Sequence, residues 1–164
     1  MRLQKGSTII EVLIYLLIFV VLSGVIIYSY SISNSSFKEV VARRYLISVG
    51  TKTMERFTIE IRKSESINSV SSTFGTNPGV LVLNQPSSKI VRFDVSGNSI
   101  NLTENGVLSG NILSSKLTLS SLIFRKITTA TGEGVKIELQ TSINGGNGLI
   151  TENFYQTVSL RGNY

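Results

Sequence analysis

Between Glu11 and Lys38 the chain carries no charged side chain, and residues 12–28 are almost unbroken hydrocarbon. A helix over about residues 12–32, rising ~1.5 Å per residue, is ~30 Å long and matches the hydrocarbon thickness of a bilayer. One carboxylate, Glu11, stands at the mouth of that stretch. A charge near the end of a membrane helix costs up to a few kcal/mol of insertion free energy, so its presence calls for a role that offsets the cost.

The flanks give the segment a direction. Arg2 and Lys5 precede it, and no basic residue follows until Lys38. The positive-inside rule then places the leader in the cytoplasm and the remainder outside, as a single-pass protein. A conventional secretory signal is one competing reading, with Ser29-Tyr30-Ser31 as a small-x-small cut site. Residues 12–28 are longer than the usual apolar region of about 7–15 residues, however, and such signals do not open on a glutamate. A plain membrane anchor is the other, although an anchor needs neither Glu11 nor the leader.

Past the apolar segment the helical pattern continues but becomes two-faced. Ala42, Leu46, Val49, Thr53, Phe57 and Ile61 recur at steps of three or four with Met54 beside them. Lys38, Arg43, Arg44, Lys52, Glu55, Arg56 and Lys63 fall on the opposite side. Gly24 is where any bend of the membrane half is expected to begin, and Gly50 weakens the second half by about 1 kcal/mol relative to alanine. Residues 68–79 read as a linker, closed by Pro78. Strands are predicted at 80–83, 89–95, 99–103, 117–128, 134–143 and 149–160. Ser96-Gly97-Asn98 and Asn105-Gly106 supply tight turns, and residues 144–148 a longer loop. In the fifth of these strands Val135, Ile137 and Leu139 alternate with Lys136, Glu138 and Gln140, giving one wet face and one face on the helix. The expected fold class is therefore α+β, a long N-terminal helix with a transmembrane half and an amphipathic half, packed on an antiparallel β-sheet. Its segments are a leader at 1–6, a membrane helix at 7–36 and a globular domain at 37–164, with an amphipathic helix at 37–66 and a β-rich part at 80–161.

The order Met1-Arg2-Leu3-Gln4-Lys5-Gly6, then Ser7-Thr8-Ile9-Ile10-Glu11-Val12, resembles the class III signal of type IV prepilins and pseudopilins. The resemblance implies a pilin-like fold and cleavage by a prepilin peptidase after Gly6, leaving Ser7 as the mature amino terminus. It also implies that the Ser7 amine is the position of N-methylation, with serine standing where the family usually has phenylalanine. Glu11 becomes the fifth mature residue, which in the family neutralises the N-terminal ammonium of a neighbouring subunit. Two such charges attract strongly at low effective dielectric, whereas either alone bears an uncompensated desolvation cost. Further along, Met54-Glu55-Arg56-Phe57, Ile61-Arg62-Lys63-Ser64-Glu65-Ser66-Ile67, Leu122-Ile123-Phe124-Arg125 and Val158-Ser159-Leu160-Arg161 resemble the J-type minor pseudopilins of type II secretion and the W-type minor pilins. The partners so implied are the prepilin peptidase, other pilin or pseudopilin subunits, the inner-membrane assembly platform and, before assembly, membrane lipid. The implied role is a minor subunit of a type IV pilus, secretion pseudopilus or DNA-uptake filament, at its tip or in its initiation. The alternative is a membrane-anchored extracellular binding domain that does not polymerise.

Catalysis finds little to work with. The chain has no histidine and no cysteine, which removes the commonest general base, the thiol nucleophile and most transition-metal sites. It also removes disulfides and a lipid-modified cysteine. Acidic residues are scattered, without a calcium-loop spacing, and Ser114-Ser115-Lys116 reads as a loop rather than a serine–lysine pair. No catalytic residue, metal or cofactor is expected. The formal charge of +6 is mildly basic. Arg43-Arg44, Arg62-Lys63, Lys89, Arg92 and Arg125-Lys126 are dispersed among glutamates, a pattern that fits a solvated surface better than a DNA contact.

Overall fold

The computed structural model describes residues 9–129 and 132–161. Helix α1, Ile9–Arg62, runs for 54 residues without a break through Gly24 and Gly50. It contains no proline, and its length corresponds to ~80 Å. From residue 9 to residue 34 every position except Ser23 is exposed. Burial begins at Ala42 and Tyr45 and is complete at Leu46, Gly50, Thr53, Met54, Phe57 and Ile61. These are the steps of three and four that the amphipathic pattern predicts, whereas Lys38, Arg43, Arg44, Lys52, Glu55 and Lys63 remain exposed. The helix stops at Arg62, four residues short of the expected 66. There the Ser64 hydroxyl (2.7 Å) and the Gln85 amide (3.2 Å) both donate to the Glu60 carbonyl, satisfying one of the acceptors that a helix end exposes.

The strands are β1 Ser66–Ile67, β2 Leu81–Gln85, β3 Lys89–Ser96, β4 Ser99–Glu104, β5 Val107–Asn111, β6 Thr118–Thr129, β7 Gly132–Asn144 and β8 Leu149–Ser159. All pairings are antiparallel, and they form two sheets rather than one, in the orders β1-β2-β3-β4-β5 and β6-β7-β8. The division follows from the chain between β5 and β6. After Ile112 donates the last cross-strand bond to Ile100 (2.9 Å), residues 112–117 turn away, with Leu117 N–H closing on the Ser114 carbonyl. Sequence patterning did not point to β5, because Val107 and Leu108 are exposed and Ser109, Gly110 and Asn111 carry turn chemistry. Asn98, read as a turn residue, also joins the sheets. Its amide donates to the Leu117 carbonyl and accepts from Leu119 N–H, each at 2.6 Å.

Residues 68–79 are more than a linker, since they lie along the free edge of β6. Gly75 N–H donates to the Phe124 carbonyl and Gly79 N–H to the Leu122 carbonyl, each at 2.8 Å, while Leu122 N–H donates to the Asn77 side chain. Gly79 eases that approach, because a Cβ there would stand 3.1 Å from the Leu122 carbonyl oxygen and one of the two would have to shift. The core gathers around Phe57 of α1, whose ring meets Phe93 of β3 at 4.8 Å and Phe124 of β6 at 5.5 Å, both edge-on. On β7, Val135, Ile137 and Leu139 are buried, whereas Lys136, Glu138 and Gln140 are half-buried on the outer face.

Gly50 has a packing reason that outweighs its poor helix propensity. A Cβ at that position would overlap the Phe154 ring of β8, so the glycine lets helix and strand approach. Gly50→Ala should lower the thermal midpoint of the full chain in detergent, because overpacking of ~1–3 kcal/mol exceeds the helix gain of ~1 kcal/mol. Adding Phe154→Leu should recover most of the loss. An unchanged or raised midpoint for Gly50→Ala would show that the ring yields without cost.

Candidate membrane and assembly site

The first half of α1 presents apolar side chains around its whole circumference. Ile10, Leu13, Ile14, Leu17 and Val20 border one shallow groove, and Val12, Phe19 and Ile26 are exposed on the opposite side. This helix is long and apolar enough to cross a membrane. Glu11 lies in its first turn. One turn on, the Tyr15 hydroxyl donates to Glu11 Oε1 at 3.1 Å. A carboxylate in hydrocarbon needs hydrogen-bond donors, and the phenol meets part of that need from the same helix. Sequence reasoning passed over Tyr15, although its spacing of four from Glu11 is the helical-neighbour signal. The other expected functional positions, Arg2, Lys5, Gly6 and Ser7, lie outside the described residues.

The second half of α1 is fastened by groups of different chemistry. Arg43 pairs with Glu152 of β8 at 3.0 Å. The Tyr45 hydroxyl meets the Ser114 hydroxyl at 2.7 Å, and the Thr53 hydroxyl donates to the Ile112 carbonyl at 3.0 Å. Ser114-Ser115-Lys116 is thus part of the loop between the sheets, as expected, and Lys116 rests over the Tyr45 ring at 5.6 Å. The exposed half is therefore the direct continuation of a helix whose other half is built into the domain.

Charge at the far end is compensated in clusters. Glu60, only 2% exposed, receives Gln85 Nε2 at 2.9 Å, Arg56 at 3.2 Å and Lys63 at 3.8 Å. Its burial was not legible in the sequence, where it sits one residue before the core position Ile61. Lys89 reaches Glu104 at 2.8 Å and, with Arg56 and Lys63, holds that carboxyl below the usual carboxylate range. Arg125 and Lys136 do the same to Glu138, at 3.0 and 2.9 Å. Arg92 pairs with Asp94 and Lys126 with Glu133, so most of the basic positions weighed for DNA already have an acidic partner. Among the described residues no group of three or more acidic, histidine or cysteine side chains could hold a metal ion.

Comparison with protein-family models, with curated proteins and with solved structures finds no match.

The depressed value of Glu138 makes a stability contribution with a defined sign. A carboxyl whose folded-state value lies below its unfolded value stabilises the fold above the unfolded value of ~4.3 and loses that contribution as pH falls through the folded value. Glu138→Gln should therefore lower the thermal midpoint at neutral pH, and the gap to the parent should narrow as pH falls below ~4.3 and vanish once the carboxyl is protonated in both states. A gap independent of pH would place the effect in packing rather than in the pairing with Arg125 and Lys136.

Proposed function

We propose that this chain is a minor pilin or pseudopilin subunit, matured between Gly6 and Ser7 by a prepilin peptidase and assembled through its apolar helix into an extracytoplasmic filament. The observation that carries the reading is Glu11. It heads a helix that is apolar on every side, takes a hydrogen bond from Tyr15, and continues without a break into a folded α+β domain. A helix serving only as an anchor has no use for a carboxylate at that depth, whereas a helix that exchanges lipid for neighbouring helices can use it to fix register. The match of residues 6–12 to the class III signal supports the same reading from the sequence side. In this reading Arg2 and Lys5 hold the leader in the cytoplasm and the domain faces outward. The peptidase, neighbouring subunits and the inner-membrane assembly platform are its partners. The filament is a type IV pilus, a secretion pseudopilus or a DNA-uptake filament, and the subunit acts at its tip or in its initiation without catalysis.

Processing gives the first test. Mass spectrometry of the chain from cells with an active prepilin peptidase should find Ser7 at the amino terminus, and Gly6→Asp should leave Met1 in place. A terminus at Ile32 would establish a secretory signal, and an intact Met1 in the parent chain a plain anchor.

Assembly gives the second. Glu11→Val should insert and be cut as the parent is, since removing the charge eases insertion. It should nevertheless fail to co-purify with its filament partners. Unchanged co-purification would remove Glu11 from the assembly contacts.

A further inference from the structure

Where α1 enters the domain it forms one wall of a groove of about 330 Å³, with Phe37, Val41 and Tyr45 as its apolar floor and Lys38 and Lys116 at its rim. Opposite it stand Lys116 of the loop between the sheets and Ile143 of β7, and the Lys38 stem passes beside Gly146 of the β7–β8 loop. We propose that this groove docks the headgroup and upper acyl chain of an anionic phospholipid of the membrane that α1 enters; the inference rests on the single-pass reading above.

Depth is the first argument. Phe37 and Lys38 lie five to six residues beyond residue 32, about 8 Å along the axis, at the outer edge of the interfacial layer of ~5–8 Å that flanks the hydrocarbon core on each side. Helical side chains tilt toward the N-terminus, so Lys38, Val41 and Tyr45 lean back toward the bilayer. Tyr28 and Tyr30, 70% and 71% exposed, add the aromatic rings that favour that level.

Chemistry is the second. Phe37 is 68% and Val41 49% exposed, an apolar surface next to two ammonium groups. Among the described residues neither Lys38 nor Lys116 forms an ion pair, whereas Arg43, in the next turn, is already paired with Glu152. Glu39 follows Lys38 on the helix but does not line the groove. Apolar floor and unpaired cationic rim together complement an acyl chain below a phosphate. A free phosphate would use only the rim, and the apolar helix of a second copy only the floor.

The test uses the full chain in liposomes of phosphatidylcholine with spin-labelled phosphatidylglycerol or spin-labelled phosphatidylcholine as reporter. The parent chain should hold the anionic reporter several-fold more strongly, up to the roughly 25-fold that two surface cations can supply at about fivefold each. Lys38→Gln/Lys116→Gln should bring the ratio close to one, while Arg44→Gln/Lys52→Gln, with the same charge loss on exposed positions outside the groove, should keep it. A parent ratio of one, or an equal fall in both double variants, would overturn the site. Displacement of the reporter by millimolar glycerol phosphate would assign the rim to a soluble anion and overturn the lipid reading. Loss of the preference as protein-to-lipid ratio rises would assign the floor to a second copy, with the same consequence. Resistance to alkaline carbonate extraction tells insertion of the helix apart from occupancy of the groove. A chain that is extracted refutes the single-pass reading and the docking site with it, whereas an inserted chain without lipid preference refutes the docking site alone.

Discussion

The contact on which this architecture turns is the Phe57 ring, set edge-on against Phe93 of the five-stranded sheet and Phe124 of the three-stranded sheet. The two sheets share no strand ladder, so their relative placement depends on side chains and connecting segments. Each aromatic pair adds about 0.5–1.5 kcal/mol beyond the burial of its surface. Geometry matters more than that sum, because the quadrupoles favour an edge-on approach and so orient the helix against both sheets at once. Asn98 and residues 68–79 then lock the same junction from outside the core, through bonds to the β6 backbone and to the residue before it.

That junction decides where the exposed half of α1 leaves the domain. Along the buried half the fastening changes from apolar to polar and back, with Phe154 filling the space beside Gly50, Thr53 held to Ile112 and Arg43 paired across to Glu152. A surface ion pair such as Arg43–Glu152 contributes only about 0–1 kcal/mol, so its value lies in register more than in strength. Glu60 is a different case. A buried carboxylate is costly unless fully partnered, and here Gln85, Arg56 and Lys63 surround it. Because Gln85 also donates to the Glu60 carbonyl, one residue of β2 anchors both the end of the helix and its buried charge.

The chain thus combines a domain with a conventional core and a helical half that has no internal partner among the described residues. Such an apolar surface needs lipid or other helices to cover it. Glu11 with Tyr15 at one end and the lysine-rimmed groove at the other bring polar chemistry to the two ends of that surface. From Glu11 to Phe37 the axis rises ~39 Å, enough to cross a ~30 Å hydrocarbon layer and the interfacial layer on one side of it, and this spacing links the proposed roles to one membrane-sized helix.

The sequence by itself determined the long helix, its division into an apolar and an amphipathic half, and six of the eight strands to within a few residues. Those features depend on local periodicity and turn chemistry, which a single segment carries on its own. Glu11 was legible for the same reason, as the one charge in an otherwise uncharged stretch. Tertiary structure alone decided the split into two sheets, the pairing of β5, the burial of Glu60, the closeness of Gly50 to Phe154 and the meeting of Lys38 with Lys116 in one groove. Apart from the β4–β5 hairpin, whose strands are adjacent in sequence, each joins residues far apart in the chain. No local pattern encodes such a meeting, because it depends on how whole elements pack, and packing is settled only when every element competes for the same core.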